Sequence, residues 1–204
     1  MTNAFDVVKM FEQAMCEYTG AKYAVAVNSC TNALGICIEL LSNTSPRKHM
    51  VLPARTYVGV AVQAKRAGFK LEFHDYNWQQ EGYYHLDGSE VIDSARLLTS
   101  GMYKPGTLTC TSHHWSKHLS TEQGGCILHD NDALDTWLRK MRFDGRTEGV
   151  PVAEDDIFTL GWHCYMSPSS AALGLTNLHF LPKHNKPLPE AGYPDLRKFE
   201  RLNQ

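Results

Sequence analysis

The sequence has no surplus of positive charge and no long apolar run. Its 20 Lys and Arg residues are balanced by 22 Asp and Glu, which gives a formal net charge of −2. A protein that neutralises a nucleic-acid backbone is therefore not expected. No stretch approaches the roughly 20 apolar residues of a membrane-spanning helix. The first 18 residues mix charged with apolar side chains, unlike a secretory signal. We therefore expect a cytoplasmic protein that binds neither nucleic acid nor a membrane.

The cysteines also lack zinc-type ligand spacing. The six cysteines are scattered and none belongs to a CxxC pair. In a reducing compartment such cysteines are mostly small buried apolar residues. His113, His114 and His118 are close in sequence, but the carboxylate that accompanies paired histidines in zinc enzymes is absent from this run. We expect no metal site.

Strand-like and helix-like patterns alternate along the chain. Apolar residues recur at helical spacing over 5–18, 32–41, 57–67, 132–141 and 167–178. Short β-prone segments occupy 23–27, 49–52, 70–74, 90–92, 107–112 and 125–128. Polar turns follow two of these strands at 28–31 and 53–56, and 75–89 has a loop-like composition. These patterns predict an α/β fold with a mainly parallel sheet flanked by helices. We expect residues 1–181 to form the core and the proline-rich residues 182–204, hereafter the tail, to lie over the surface or around a partner.

Several stretches resemble, in order, one known family. They are FEQAMCEYTGAKYAVAVNSCTNAL (11–34), VLPARTYVGVAVQAKRAGFKLEFHD (51–75), VIDSAR (91–96), SHHWSKHLSTEQGG (112–125) and, more weakly, GWHCYMSPSSAALGL (161–175). Together they resemble the DegT-type sugar aminotransferases, which depend on pyridoxal 5′-phosphate (PLP) and have fold type I. The resemblance implies the large domain of that fold, with the active site at the interface of a homodimer.

The resemblance assigns a role to each of several residues. An aminotransferase needs a lysine amine that forms a Schiff base with PLP and then moves a proton. It also needs a carboxylate at the pyridine nitrogen, and hydroxyls with helix N–H groups at the phosphate. The positions that match the family's motifs are Lys117 for the Schiff base, Asp93 for the pyridine nitrogen, Ser29, Thr31 and Ser112 for the phosphate, and Tyr57 for stacking on the ring.

The chain departs from the family pattern at several positions. Cys30 stands where the family usually has glycine, so strain is expected in the phosphate turn. Arg96 replaces a glutamine or histidine near the ring oxygen of the cofactor. His163 replaces an asparagine that reaches the phosphate of a neighbouring subunit. Only 17 residues separate Asp75 from Asp93, fewer than in the family. The resemblance also leads us to expect that most of the C-terminal small domain is absent.

The function implied is PLP-dependent transfer of an amino group from an amino acid such as glutamate to a nucleotide-linked or activated keto-sugar. Two alternatives stay open. One is other PLP chemistry on a non-sugar substrate, although the sugar-dehydrating relatives carry histidine where Lys117 stands. The other is a degenerate, non-catalytic member that binds a partner.

Overall fold

The computed structural model describes residues 3–46, 48–157 and 159–203. Within them the chain alternates helices and strands, joined by turns and short 3₁₀ segments. The helices are α1 (Asp6–Thr19), α2 (Cys30–Thr44), α3 (Val58–Arg66), α4 (Asp132–Met141), α5 (Pro168–Phe180) and α6 (Glu200–Asn203). The strands are β1 (Tyr23–Val27), β2 (His49–Pro53), β3 (Lys70–His74), β4 (Tyr84–His85), β5 (Val91–Ser94), β6 (Leu108–Ser112) and β7 (Gly125–His129).

The α/β fold is confirmed, but the strands do not run mainly parallel. Five strands form one sheet in the order β1-β7-β6-β5-β4, and β2 and β3 form a separate pair. Strand β7 is antiparallel to both of its neighbours, and β4 is antiparallel to β5. Only β5–β6 and β2–β3 are parallel among the pairings of the described residues. Sequence patterns missed this because the direction of a strand depends on its partner and not on its own side chains.

The mixed sheet still collects several strand ends at one edge. Since β7 opposes both β1 and β6, strands β1, β6 and β5 all run in the same direction. Their carboxyl ends therefore meet, and the start of β7 lies at the same edge. Ligands of open α/β sheets bind at such an edge.

Helices cover both faces of the sheet. Along β1, Val25 and Val27 pack into one apolar cluster with residues of α2 and α3, whereas Ala24 and Ala26 pack into another with residues of α1 and α5. Side chains of a strand alternate between its two faces, so this division indicates a sheet between two layers of helices. No helix in the described ranges combines the length and the apolar character needed to cross a membrane.

The tail returns to the core instead of only lying over it. Leu196 is fully buried, and its backbone N–H donates to the carbonyl of Ala54 at 2.8 Å. Leu202, within α6, is also buried. These contacts place the last part of the tail at the carboxyl end of β2, with α6 against β3 and α3. The division into a core of residues 1–181 and a tail of residues 182–204 stays a prediction.

Candidate functional site

A cavity of about 490 Å³ lies at this edge of the sheet. Seven of the nine predicted site residues line it, and they come from four separate parts of the chain. They are Ser29, Cys30, Thr31, Tyr57, Asp93, Ser112 and Lys117. The cavity therefore brings together the proposed amine, carboxylate and hydroxyl groups.

The hydroxyl end of the cavity is built on the first turn of α2. Ser29 caps this helix, since its hydroxyl accepts a hydrogen bond from the backbone N–H of Asn32 at 3.1 Å. Cys30 is the first helical residue. Unpaired N–H groups at a helix N-terminus attract anions. The Ser29 cap and an anion site both use the first turn of α2, so this end of the cavity suits a phosphate.

The strain expected at Cys30 is not present. Non-glycine residues with positive φ in the described ranges are Asp87, Glu122 and Asp144, and Cys30 is not one of them. A helical residue needs no glycine, so the thiol is accommodated. Glycine is needed instead at Gly125, where an added Cβ would lie 2.5 Å from the backbone nitrogen of Cys30. This glycine lets the start of β7 lie directly against the turn.

Asp93 is a buried carboxylate held by hydrogen bonds. Only 2% of it is exposed, and the backbone N–H of Ala95 donates to Oδ1 at 2.9 Å. Burial raises the pKa of Asp93, while hydrogen bonds from Ala95 and the Tyr84 hydroxyl and the charge of Lys117 oppose that rise. The Tyr84 hydroxyl also lies 2.9 Å from that of Thr56. Asp93 is thus oriented by the turn that follows β5, through Ala95, and by β4, through Tyr84.

Lys117 lies in the loop between β6 and β7, which is closed by backbone hydrogen bonds. The N–H of His113 donates to the carbonyl of Gly124 at 2.9 Å, and that of Lys117 donates to the carbonyl of His114 at 2.9 Å. Burial and the nearby charge of Arg96 lower the pKa of Lys117, opposed by Cys30 and Asp93. A lowered pKa increases the fraction of neutral amine, which is the nucleophilic form.

Arg96 lies beside the cavity, under the tail. Its Nη2 donates to the carbonyl of Leu188 at 3.2 Å, and the N–H of Leu188 donates to the carbonyl of Arg96 at 2.9 Å. The guanidinium carbon is 5.9 Å from the ring centre of Tyr193, which lines the cavity. The ring of Tyr193 stacks in turn on that of Trp78, with centroids 6.2 Å apart.

His163 is not part of the cavity. Its Nδ1 lies 2.7 Å from a carboxylate oxygen of Asp144, and its imidazole is largely exposed. The neighbouring ring is that of Tyr165, with centroids 4.9 Å apart. The role expected for His163 concerns a second subunit, and it stays a prediction.

A second cavity, of about 510 Å³, lies between α1 and α4 and contains none of the predicted residues. Its basic side chains are largely paired with carboxylates. Lys22 lies 2.5 Å from Asp132, and Arg139 lies 2.8 Å from both Glu12 and Asp135. Because these charges are already compensated, this cavity presents fewer reactive groups to a ligand than the cavity around Lys117 does.

Sequence reasoning did not assign Tyr84, Thr56 or Tyr193 to the site. Tyr84 belongs to residues 75–89, whose composition is loop-like, but it lies in β4 and reaches Asp93 because β4 pairs with β5 in that register. Tyr193 lies in the tail, 76 residues after Lys117. The one available signal was an aromatic residue within a proline-rich segment, which does not say what the residue contacts.

The comparisons with known proteins agree with this architecture. The sequence profile of the DegT/DnrJ/EryC1/StrS aminotransferase family matches residues 1–91 and 100–188. A UDP-4-amino-4,6-dideoxy-N-acetyl-β-L-altrosamine transaminase of Campylobacter jejuni is 26% identical over 220 aligned positions, which cover 87% of this chain. The same alignment covers 57% of the transaminase, so the chain spans little more than half the length of this relative.

Solved structures show the same fold at low identity. PseC of Helicobacter pylori, an aminotransferase involved in the biosynthesis of pseudoaminic acid, is 18% identical with a TM-score of 0.68. The match covers 86% of this chain and 58% of PseC. AtS13 of Actinomadura melliaura is 19% identical with a TM-score of 0.72, covering 86% and 60% of the two chains. The chain belongs to the DegT/DnrJ/EryC1/StrS aminotransferase family.

Proposed function

We propose that this chain forms the cofactor-binding core of a PLP-dependent aminotransferase. The observation that carries the proposal is a half-buried lysine, Lys117, which shares one cavity with the buried carboxylate of Asp93. When bound, PLP supplies an electron sink for the negative charge that develops at the substrate carbon. The remaining chemistry belongs to residues of this chain.

The cavity fits PLP at both of its ends. The hydroxyls of Ser29, Thr31 and Ser112, together with the N–H groups of the first turn of α2, would hold the phosphate. Asp93 would accept a hydrogen bond from the protonated pyridine nitrogen, because a buried carboxylate is stabilised by a positive partner. Tyr57, at the cavity wall, would cover one face of the ring.

Lys117 would bond to the cofactor and later move a proton. Its lowered pKa favours the neutral amine, which can attack a carbonyl carbon and accept a proton. Arg96 contributes to this through its charge. Cys30 lies against the same groups with a thiol whose pKa burial raises well above the usual range, so we assign it no proton transfer.

The substrates we propose follow from the relatives. The Campylobacter jejuni protein is named as a transaminase of a UDP-linked amino sugar. We therefore propose a nucleotide-linked or otherwise activated keto-sugar as acceptor and an amino acid such as glutamate as donor. The cytoplasmic location expected from the sequence is part of the same proposal.

A homodimer is proposed as the working assembly. Two large side chains at or near the cavity are exposed, Tyr57 at 53% and Trp115 at 71%. A second copy would cover such apolar surface. His163 would then reach the cavity of the partner, as the resemblance implies, and Asp144 would hold its imidazole.

The test is the absorbance spectrum of the protein after incubation with PLP and dialysis. Wild-type protein is expected to retain a visible band, and Lys117→Ala is expected to lose it. Lys70→Ala, which removes an exposed lysine of β3, is the matched control and should keep the band. Conversion of the band by an amino acid, coupled to amination of a keto-sugar, would support transamination. A band retained in Lys117→Ala would contradict the assignment of the lysine.

A non-catalytic role is the second candidate function. The observation that favours it is Arg96, which departs from the family pattern at a position that the resemblance places near the cofactor. A protein without a visible band, which co-purifies with a longer homologous chain, would favour this candidate. A band that responds to donors but never aminates a sugar would favour PLP chemistry on another substrate.

A further inference from the structure

Arg96 is a buried cation without a carboxylate partner in the part of the chain that the structure describes. It is 5% exposed, and its Nε has no hydrogen-bond partner. The other deeply buried arginine, Arg142, is 1% exposed and pairs with both Glu12 and Glu148. A buried charge is costly unless it is paired. The contrast indicates that the partner of Arg96 comes from outside these residues.

The guanidinium carbon lies 5.9 Å from the ring centre of Tyr193, which lines the cavity together with Lys117. Burial raises the pKa of the Tyr193 hydroxyl, and a hydrogen bond from Arg96 opposes this rise. The charge of Arg96 also acts on Lys117. An anion at Arg96 would therefore lie next to the phenol of Tyr193, at the wall of the cavity that also contains Lys117.

The geometry points to a carboxylate as this anion. A guanidinium offers five N–H donors in a planar fork that matches a carboxylate with two parallel hydrogen bonds. The phosphate is accounted for at the first turn of α2 by Ser29 and Thr31. We propose that Arg96 and the hydroxyl of Tyr193 form the subsite for the carboxylate of the amino-acid donor. This inference rests on the function proposed above.

The ring oxygen of the cofactor is the competing partner, since the resemblance implies that Arg96 stands near it. A single ring oxygen could accept hydrogen bonds from only some of the N–H groups of the Arg96 guanidinium. Nη2 already donates to Leu188, and Nε remains without a partner. A carboxylate satisfies more of these donors than a single oxygen does, so the donor is the better match.

A matched pair of amines tests the proposal. 2-Methylalanine and tert-butylamine differ only in that a methyl group replaces the carboxylate, and neither has a hydrogen on the carbon that bears the amine, so neither proceeds through transamination. Their binding to the PLP-loaded protein is followed by the change in visible absorbance. Arg96→Gln is expected to weaken 2-methylalanine binding about 30-fold and to change tert-butylamine binding less than about 2-fold. Arg66→Gln, which removes an exposed arginine at the end of α3, is the control and should change neither.

The outcomes separate the subsite from other roles of Arg96. Equal weakening of both amines would assign Arg96 to the cofactor or to folding and would overturn the proposal, as would no weakening of either. If Arg96→Gln does not fold, Arg96→Lys replaces it. This variant keeps the charge without the planar fork, so a selective but smaller loss for 2-methylalanine is expected, and equal losses would again refute the subsite.

A failure of the proposed function gives a different result. Wild-type protein would then show no visible band with PLP and no response to either amine. The subsite is tested in that case by the NMR signal of the Arg96 Nε–H during a titration with propionate. A saturable shift, absent with propanol, supports a carboxylate subsite that exists without the cofactor. An unchanged signal overturns it.

Discussion

Protonation of His113 should destabilise the fold in mild acid. The imidazole is fully buried, and burial lowers its pKa from the usual 6.5 to about 4, which a backbone hydrogen bond to Leu119 opposes only in part. The pKa is lower in the folded state, so the stabilising contribution is present above pH 6.5 and is lost as the pH falls toward 4. A pKa difference of one unit corresponds to about 1.4 kcal/mol. The difference between 6.5 and about 4 therefore gives a full contribution of about 3 kcal/mol. Of this, about 2 kcal/mol is lost between pH 7 and pH 5.

The assay is the free energy of unfolding in urea, measured between pH 7 and pH 5. His113→Gln removes the titrating ring, so its stability should fall by about 2 kcal/mol less than that of the wild type over this interval. His113→Phe serves as a second variant, because an aromatic ring can keep the edge-to-face contact with Phe11 at 5.6 Å. His184→Gln, at an exposed position, controls for the loss of a histidine as such. The reasoning is refuted if wild type and His113→Gln lose stability in parallel.

Two further substitutions examine the walls of the cavity. Tyr84→Phe removes a donor to Asp93, which should favour the protonated carboxyl, so the affinity for PLP should fall more steeply below neutral pH than in the wild type. Fluorescence titrations with PLP at several pH values would measure this, and superimposable profiles would argue against it. Gly125→Ala places a methyl group against the backbone of Cys30, and we expect at least a tenfold loss of PLP affinity, or about 1.4 kcal/mol. Binding isotherms would decide, with Gly106→Ala, where no atom lies within 4 Å of the added carbon but φ is positive, as a control for stability alone.

Local patterns predicted the helices and strands well because each has a clear local cause. Helix α5 lies where the apolar spacing over 167–178 predicts it, and it begins with a cap in which the Ser167 hydroxyl accepts from the N–H of Ser170 at 3.1 Å. Asn131 caps α4 in the same way. Such caps depend on residues only a few positions apart, and therefore the sequence displays them.

The missed features all depend on contacts between distant segments. Strand direction follows from pairing, and β7 reverses the sheet without any sign in its own composition. Tyr84 becomes a partner of Asp93 only through the β4–β5 register, and Tyr193 enters the cavity only because the tail folds back. Grouping the predicted residues into one cavity was possible because the family motifs encode a shared edge of the sheet. The roles of these residues remain proposals.

The return of the tail also has a consequence for biosynthesis. A nascent chain carries Lys117 and Asp93 long before Tyr193 and Leu196 have been added. Until then one wall of the cavity is missing, and the guanidinium of Arg96 lacks its cover from Leu188 and Tyr193. Domains can begin to fold during synthesis, but this one cannot complete its cavity until the tail has left the ribosome. An unfinished chain that captures a reactive aldehyde would therefore do so in an open cleft. It would discriminate less between aldehydes than the finished protein does.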